Sequence, residues 1–278
     1  MVQTCGQMPC FSDSLYFVDT HCHFDFPPFS GAETASLARA AQANVRQIIV
    51  PAVSADYFPR IVDLAANYPQ LFAALGLHPL YIAQHQTADL AILAASLADK
   101  TDKLIAVGEI GLDLYMDEPQ LSRQLALLHA QLKLARQHDL PVILHSRRSH
   151  DQLAAALRKA ALPRTGVVHG FAGSLAQAQA FIRLGYYIGV GGTITYQRAQ
   201  KTRNVMATLP LSALLLETDA PDMPLAGFQG QPNRPERAAN VFDVLCELRP
   251  EAPQEIAAQL LENSQRLFRL PPVKKFTS

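Results

Sequence analysis

Residues 17–23 read Phe-Val-Asp-Thr-His-Cys-His, an apolar run that leads directly into two histidines. The apolar start is typical of a buried β-strand, and we predict a strand over residues 17–21. Because residues two apart on extended backbone share a face, His21 and His23 point the same way and Cys22 points to the other side. Cys22 is therefore predicted to pack as a small apolar residue. The histidine pair alone leaves two interpretations open, a metal site or two packed, hydrogen-bonded imidazoles.

The same pattern, an apolar run followed by a metal-ligating residue type, recurs along the chain. Four more predicted strands carry one at or just beyond their end: 104–110 with Glu109, 142–145 with His145, 166–169 with His169, and 214–218 with Asp219. Each alone also has an ordinary explanation, such as a paired carboxylate, a satisfied buried histidine or a turn aspartate. All of them together are hard to explain as independent accidents. Four imidazoles and two carboxylates suit zinc, manganese or iron, and hold two ions when a carboxylate bridges.

Alternating strands and helices run through almost the whole sequence. Three further strands are predicted at 47–50, 71–77 and 186–190, and the clearest helical patterns lie at 119–138, 149–159 and 174–184. Eight strand-then-helix units predict an α/β fold, the TIM (β/α)8 barrel, because a doubly wound sheet usually needs fewer units. Active sites of such barrels lie at the C-terminal ends of the strands, where the candidate ligands fall.

No linker or charge run divides the chain, so one barrel domain is expected over residues 16–270. Residues 1–15 form an N-terminal extension in this prediction and residues 271–278 a C-terminal tail, with extra helices over 236–268 after the eighth strand. The four cysteines, Cys5, Cys10, Cys22 and Cys246, have no metal-binding spacing and are expected to be reduced thiols.

The charge balance limits the classes of partner. Lys+Arg and Asp+Glu both total 24, which argues against a protein that coats nucleic acid or an anionic membrane by global attraction. Any polyanionic substrate must therefore be held locally. No segment has the length of a signal peptide's apolar core or of a membrane span. We expect a soluble, cytoplasmic protein without a membrane partner or an obligate protein partner.

Position along the strands suggests further roles. Asp219 could bind a metal through one carboxylate oxygen and take a proton from attacking water with the other, while Glu217 on the same face could orient a metal-bound histidine. Arg147, on the strand face of His145, and His78 are the best candidates for gripping an anionic substrate. Their ordinary alternatives are a surface arginine and a capping histidine. The remaining histidines are interpreted as structural or solvated: His85, His129, His138 and His150.

These residues lie in six motifs that follow one another in order. The motifs are DTHCHFD at 19–25, GLHP at 76–79, GEIGLD at 108–113, HSR at 145–147, HGFAGS at 169–174 and ETDAP at 217–221. In this combination the chain resembles the TatD family of metal-dependent deoxyribonucleases, from about residue 17 to residue 268. The segment 262–268, ENSQRLF, resembles the closing helix of that family, and 227–236, GFQGQPNRPE, resembles a loop of its YjjV-like branch.

The resemblance implies a TIM barrel of the amidohydrolase superfamily that holds two divalent ions, Zn, Mn or Mg, and hydrolyses phosphodiester bonds. DNA 3′-ends are the usual substrate of the family, which makes the chain a candidate DNA exonuclease. By motif position, His21, His23 and Asp219 hold one ion, His145 and His169 hold the other, and Glu109 bridges. Many related enzymes bridge with a carboxylated lysine, but no lysine ends a predicted strand here.

One departure from the family pattern is visible after the sixth strand. The family usually reads His-Cys-Phe-Ser/Thr-Gly there, whereas residues 169–173 read His-Gly-Phe-Ala-Gly, which removes a side-chain donor. Two other functions stay open from the residues. The same centre could cleave a carboxylic ester or amide, such as an aminoacyl ester on tRNA, or the chain could be a metal-binding scaffold without activity.

Overall fold

The computed structural model describes residues 15–273. Most of the predicted extension and tail, with Cys5, Cys10, Lys274 and Lys275, lies outside the described residues. Eight parallel strands form one sheet in sequence order. They are β1 (Phe17–Asp19), β2 (Val45–Pro51), β3 (Leu71–Leu75), β4 (Leu104–Asp113), β5 (Val142–Arg147), β6 (Gly166–Val168), β7 (Tyr187–Val190) and β8 (Leu214–Leu216).

Helices follow the strands and cover the sheet from outside. They are α1 (Glu33–Gln42), α2 (Phe58–Asn67), α3 (Thr87–Ala98), α4 (Leu121–Gln137), α5 (His150–Ala160), α6 (Leu175–Arg183), α7 (Gln200–Thr208), α8 (Ala238–Leu248) and α9 (Pro253–Phe268). The sheet closes because β8 returns to the first strand: the Thr20 N–H donates to the Leu216 carbonyl at 3.0 Å. The predicted TIM barrel is thus confirmed. None of the helices in residues 15–273 is long and apolar enough to span a bilayer.

Alternation along the strands builds two apolar layers. Ile49 and Phe72 pack inside the barrel with Ile143, whereas Ile48 and Ala73 pack in the layer shared with the helices. This is the period-two alternation of a strand that is buried on both faces. The end of α9 covers one end of the barrel, since its last apolar residues join the inner cluster. Functional side chains are therefore left to the other end, at the strand C-termini.

The two central strands are longer than the apolar pattern predicts. β4 extends past residue 110 to Asp113, and β5 extends past His145 to Arg147. Their extensions pair with each other, Gly111 with His145 and Asp113 with Arg147, so each supplies the hydrogen bonds that the other needs. Apart from Leu112, these positions hold glycine, serine and charged residues, and a single apolar residue is too little to continue the strand pattern.

Candidate metal centre

Glu109 is the central residue of the cluster at the C-terminal mouth of the barrel. It lies within β4, where the register shifts between Val107 and Ile110, and its side chain is 2% exposed. No residue with a side chain fits at the neighbouring position 108, because a Cβ added to Gly108 would lie 2.6 Å from the Cβ of Ile143. Close packing of β4 against β5 therefore holds the carboxylate in place.

One oxygen of Glu109 faces the residues of the first and last strands. Its Oε2 lies 3.1 Å from Nε2 of His21 and 3.5 Å from Nε2 of His23. Asp219 joins this side, with Oδ1 at 3.5 Å from His21 Nε2 and 3.7 Å from His23 Nε2. The predicted shared face of the two histidines is confirmed, since their Nε2 atoms are 3.4 Å apart. Cys22 is fully buried in the core, as predicted.

The other oxygen of Glu109 faces a second set of ring nitrogens. Its Oε1 lies 3.1 Å from Nδ1 of His145, 2.6 Å from Nε2 of His169 and 2.9 Å from Nε2 of His78. All six predicted ligand residues therefore meet in one cluster. The two sides are contiguous, because the rings of His21 and His169 stack at 3.8 Å between centroids.

The donor set fits divalent ions. Ligand atoms at about 2.1 Å from an ion lie about 3.0 to 3.4 Å from one another in octahedral or tetrahedral geometry. The separations of 3.1 to 3.7 Å among Glu109 Oε2, His21, His23 and Asp219 are close to that range. Five ring nitrogens surround the Glu109 carboxylate, and its two oxygens cannot accept a hydrogen bond from all of them. Divalent cations would instead bind the lone pairs of the imidazole nitrogens. Within residues 15–273, three sets of residues could hold an ion: His21–His23–Asp219, His78–Glu109–His145 and His21–His169–Glu217.

In the metal-free site the histidine rings have very different pKa values. Burial opposes charge on His23 and His169, but Glu109 outweighs it and raises their pKa values to about 9 and about 10. Burial keeps the pKa of His21 well below its usual value, with the charge of His169 adding to the effect. Burial would raise the pKa of Glu109, but its interactions with the rings of His169, His78 and His21 hold that pKa well below normal. Glu109 is thus an anion beside the protonated rings of His23 and His169.

His78 is buried and hydrogen-bonded within the protein, more so than expected for a residue that only binds substrate. Burial lowers its pKa to about 4, so the ring is neutral near neutral pH. Its Nδ1 accepts from the Leu80 N–H at 3.0 Å, which leaves the proton on Nε2, the atom that faces Glu109. His85 supports the arrangement through a 2.8 Å bond from Nε2 to the His78 carbonyl. His78 therefore caps the turn that follows it, which was the alternative role predicted from the sequence, and it also lies next to the cluster. Its contact with substrate stays a prediction.

Asp219 is the most accessible of the six, with 22% of its side chain exposed. It lies in the left-handed region, with φ of 59°, in the turn before Pro221. Its N–H donates to the His21 carbonyl at 2.8 Å and ties the turn to the first strand. Burial raises the pKa of Asp219, with the positive charge of His169 opposing. The carboxylate is therefore a stronger base than an ordinary aspartate, and it faces the cavity.

Glu217 is fully buried beneath His169. Its Oε1 accepts from the Gly170 N–H at 2.5 Å and lies 3.9 Å from His169 Nδ1, beyond hydrogen-bond length. Burial raises its pKa to about 7. Gly189 makes room for it, because an added Cβ there would lie 2.4 Å from Glu217 Oε2. Its predicted orientation of a histidine stays a prediction.

Asp113 is the main residue that the sequence pattern missed. It is fully buried, and its Oδ2 lies 2.7 Å from Nε2 of His145. If a neutral His145 donates its Nε2–H to Asp113, its Nδ1 carries no proton, and the lone pair of Nδ1 can bind a metal ion next to Glu109. The period-two pattern could have found it, because residues 109, 111 and 113 share one face if the strand continues.

Two buried glutamines on α4 were also missed. Gln124 donates to the Asp113 carbonyl at 2.8 Å and accepts from its N–H at 2.8 Å. Gln131 accepts from the Leu77 N–H at 2.7 Å, beside His78. Seven residues separate them, so they share the apolar face of the helix, and that polar interruption is the pattern that could have revealed them.

An open cavity of about 1270 Å³ lies above the cluster. Glu109, His145 and Asp219 line its floor, and Arg147 lines its wall, where the side chain is exposed at the rim. Arg147 therefore lies at the cavity, but its side chain is also exposed to solvent, and its contact with substrate stays a prediction. The volume is large enough for a nucleotide-sized ligand, since pockets for small molecules are about 300–1,000 Å³.

Comparison with known proteins places the chain in a family. A model for TatD-related DNases matches residues 18–269. The metal-dependent hydrolase YjjV of Escherichia coli K12 is 65% identical over 255 residues, covering 92% of this chain and 98% of the relative. A metal-dependent hydrolase of Haemophilus influenzae is 47% identical over 262 residues, 91% of this chain and 100% of the relative.

The crystal structure of YjjV, a TatD homologue from Escherichia coli K12, superposes with a TM-score of 0.91 at 65% identity, covering 92% of this chain and 98% of that one. The similarity agrees with both the family and the branch expected from the motifs. With a match over residues 18–269 and the donor cluster described above, the chain belongs to the TatD-related DNase family and is a metal-dependent hydrolase of that family.

Proposed function

We propose that the chain hydrolyses phosphodiester bonds with two divalent ions, acting on DNA as an exonuclease. The observation that supports the proposal is the position of the Glu109 carboxylate, whose two oxygens face two different sets of ligand atoms. A carboxylate in this position can bridge two cations, and paired cations suit an in-line displacement at phosphorus. In this proposal His21, His23 and Asp219 hold one ion and His145 and His169 the other.

When bound, the two ions would neutralise charge that develops on the phosphoryl group and make water a better nucleophile. Asp219 accepts the proton of the attacking water, because its carboxylate has a raised pKa and is open to the cavity. The Nε2–H of His78 donates a hydrogen bond to Glu109 and fixes the orientation of that carboxylate. Glu217 holds the loop under His169 through Gly170.

The wall of the cavity favours an anionic substrate. Arg147 and the adjacent Arg148 line it, and neither makes an ion pair with another residue in 15–273. A guanidinium offers planar paired donors that match a phosphate. A neutral carboxylic ester would leave these charges unused, which is why the phosphodiester is preferred over an ester or amide, including an aminoacyl ester on tRNA.

The test is a substrate screen with purified protein loaded separately with Zn²⁺, Mn²⁺ and Mg²⁺. A nitrophenyl phosphodiester, a nitrophenyl carboxylic ester, DNA and an aminoacyl-tRNA are compared, with Glu109→Gln as the inactive control. We expect metal-dependent release of nitrophenol from the phosphodiester and of nucleotides from DNA. Cleavage of the carboxylic or aminoacyl ester without cleavage of either phosphodiester would overturn the proposal.

A further inference from the structure

Two neighbouring arginines share one aromatic ring at the rim of the cavity. The guanidinium carbon of Arg147 lies 4.0 Å from the ring centroid of Tyr115, and that of Arg148 lies 4.2 Å from it. The two cations are therefore within about 8 Å of each other. We call Tyr115, Arg147 and Arg148 the rim cluster. Two like charges this close repel each other, and an anion between them would offset that repulsion. The Asp113 carboxylate interacts with Arg147, whereas Arg148 makes no ion pair within residues 15–273.

The backbone is bent to bring the two side chains together. Consecutive residues of a regular strand point to opposite faces, so Arg147 and Arg148 would normally diverge. Arg148 instead has a φ of 53°, in the left-handed region that side chains other than glycine seldom adopt. Such conformations cost energy and are concentrated at functional sites. The bend is an observation independent of the charges.

The rim cluster is fixed relative to the metal centre. The Leu114 N–H donates to the Arg147 carbonyl at 2.9 Å, and the Tyr115 N–H donates to Oδ1 of Asp113 at 2.8 Å. The same Asp113 carboxylate holds His145 through its other oxygen. Because His145 and Arg147 are two residues apart on β5, their backbones are about 6 to 7 Å apart. A ligand at the rim cluster therefore lies close to the metal centre, where the reacting phosphate binds.

We propose that Arg148, held by Tyr115 in the rim cluster, binds a second phosphate of a polynucleotide, adjacent to the phosphate at the metal centre that Arg147 contacts. The inference rests on the proposed phosphodiesterase function and names its substrate as a chain with more than one phosphate. Tyr115 holds the two guanidinium planes in place, so little side-chain freedom is lost on binding.

The first test measures binding by metal-free protein, which cannot cleave. A short fluorescein-labelled single-stranded deoxyoligonucleotide is titrated at several salt concentrations, and anisotropy gives the affinity. Losing one phosphate contact should reduce the slope of log affinity against log salt by about 0.7. We expect that reduction in Arg148→Gln. Tyr115→Ala should weaken binding at least about threefold through loss of preorganisation, and Tyr115→Phe should restore it.

Lys103→Gln is the matched control, because this lysine also lies over an aromatic ring, 4.1 Å from the Phe72 centroid, but precedes β4 at the opposite end of the barrel. It should leave the slope unchanged. Equal slopes for wild type and Arg148→Gln would overturn the second-phosphate site. A reduction of the same size in Lys103→Gln would also overturn it, because the attraction would then be a general effect of charge.

The second test compares cleavage of the oligonucleotide with cleavage of a nitrophenyl phosphodiester, which has one phosphate. Arg148→Gln should reduce kcat/KM about tenfold more for the oligonucleotide than for the small diester, as expected for one charge-assisted contact. Equal losses would contradict the proposal while leaving phosphodiester hydrolysis intact. If the wild type cleaves neither substrate, the proposed function fails, and the salt slope of the binding test alone decides whether the rim cluster is a phosphate site.

Discussion

Oδ2 of Asp113 lies 2.7 Å from Nε2 of His145, and the other nitrogen of that ring lies 3.1 Å from Oε1 of Glu109. The imidazole is therefore held between two carboxylates, one that orients it and one that lies among the candidate ligands. Burial opposes charge on this ring, but the hydrogen bonds to Asp113 and Glu109 raise the pKa of His145. These hydrogen bonds make the His145 nitrogen a more basic ligand atom, as carboxylate partners do for metal-binding histidines.

Asp113→Asn should weaken binding of the ion that His145 helps to hold by about 10- to 100-fold, the usual effect of losing such a partner. The amide keeps the shape of the side chain but removes the negative charge that orients the ring. Metal affinity by calorimetry measures the change. Asp117→Asn, a change at an exposed acid in the loop that follows β4, is the control and should leave the affinity unchanged. Equal affinities in both variants would contradict a role for Asp113 in orienting His145.

Glu109→Gln should weaken both ions and abolish cleavage, and it should lose more activity than Glu109→Asp. A neutral amide is a poor bridge between two cations, whereas the shorter carboxylate keeps the charge. Metal content by mass spectrometry is the decisive measurement, because it does not depend on activity. Retention of two ions at full affinity in Glu109→Gln would show that the bridge lies elsewhere.

Arg147→Ala should lower kcat/KM for a phosphodiester roughly ten- to a hundredfold, the effect of losing a charge-assisted contact of about 1.5 to 3 kcal/mol. Metal content should stay unchanged, because the side chain is at the rim and touches no candidate ligand. Hydrolysis of a neutral carboxylic ester, if it occurs, should suffer much less. Equal losses on both substrates would indicate that Arg147 supports the site structurally.

Metal binding at pH 7 should release at least about two protons. With pKa values of about 9 and about 10, His23 and His169 are protonated at pH 7 in the metal-free protein and must lose those protons to bind an ion. Apparent affinity should therefore increase as the pH rises toward 10, and the proton count should fall over the same range. Calorimetry in two buffers with different ionisation enthalpies gives the count.

His129→Gln, which removes an exposed histidine far from the cluster, is the control for the proton count and should not change it. Release of no protons at pH 7 would mean that both rings are already neutral before the ion binds, contrary to the raised pKa values.

Gly189→Ala should destabilise the protein by about 1 to 3 kcal/mol, the usual cost of an added methyl group in a packed core. The new Cβ would lie 2.4 Å from Oε2 of Glu217 and would push that carboxylate from its place under His169. Gly191→Ala is the matched control, since its Cβ would meet Glu217 only at an ordinary 3.5 Å. Thermal unfolding compares the two. A Gly189→Ala variant as stable as Gly191→Ala would show that Glu217 moves without cost.

The order of strands and the identity of the clustered residues follow from the sequence alone. Apolar runs of strand length separated by helical periods predict a parallel barrel, because burying both faces of a strand requires a continuous apolar pattern. His21, Glu109, His145, His169 and Asp219 follow such runs, and the barrel topology requires strand ends to meet. The six-residue cluster was predictable for this reason.

Only the tertiary structure decided which atoms meet. The division of Glu109 between its two oxygens depends on a register shift in β4, and register is set by packing between strands rather than by the pattern along one of them. Asp113 and Arg148 also depend on the tertiary structure, since the period-two pattern identifies Asp113 only once β4 is known to continue past residue 110. The first lies on a strand extension that exists because β5 pairs with it, and the second points toward Tyr115 through a backbone bend that no residue type announces. Side-chain contacts across distant strands are long-range, so a pattern of local periodicity cannot specify them.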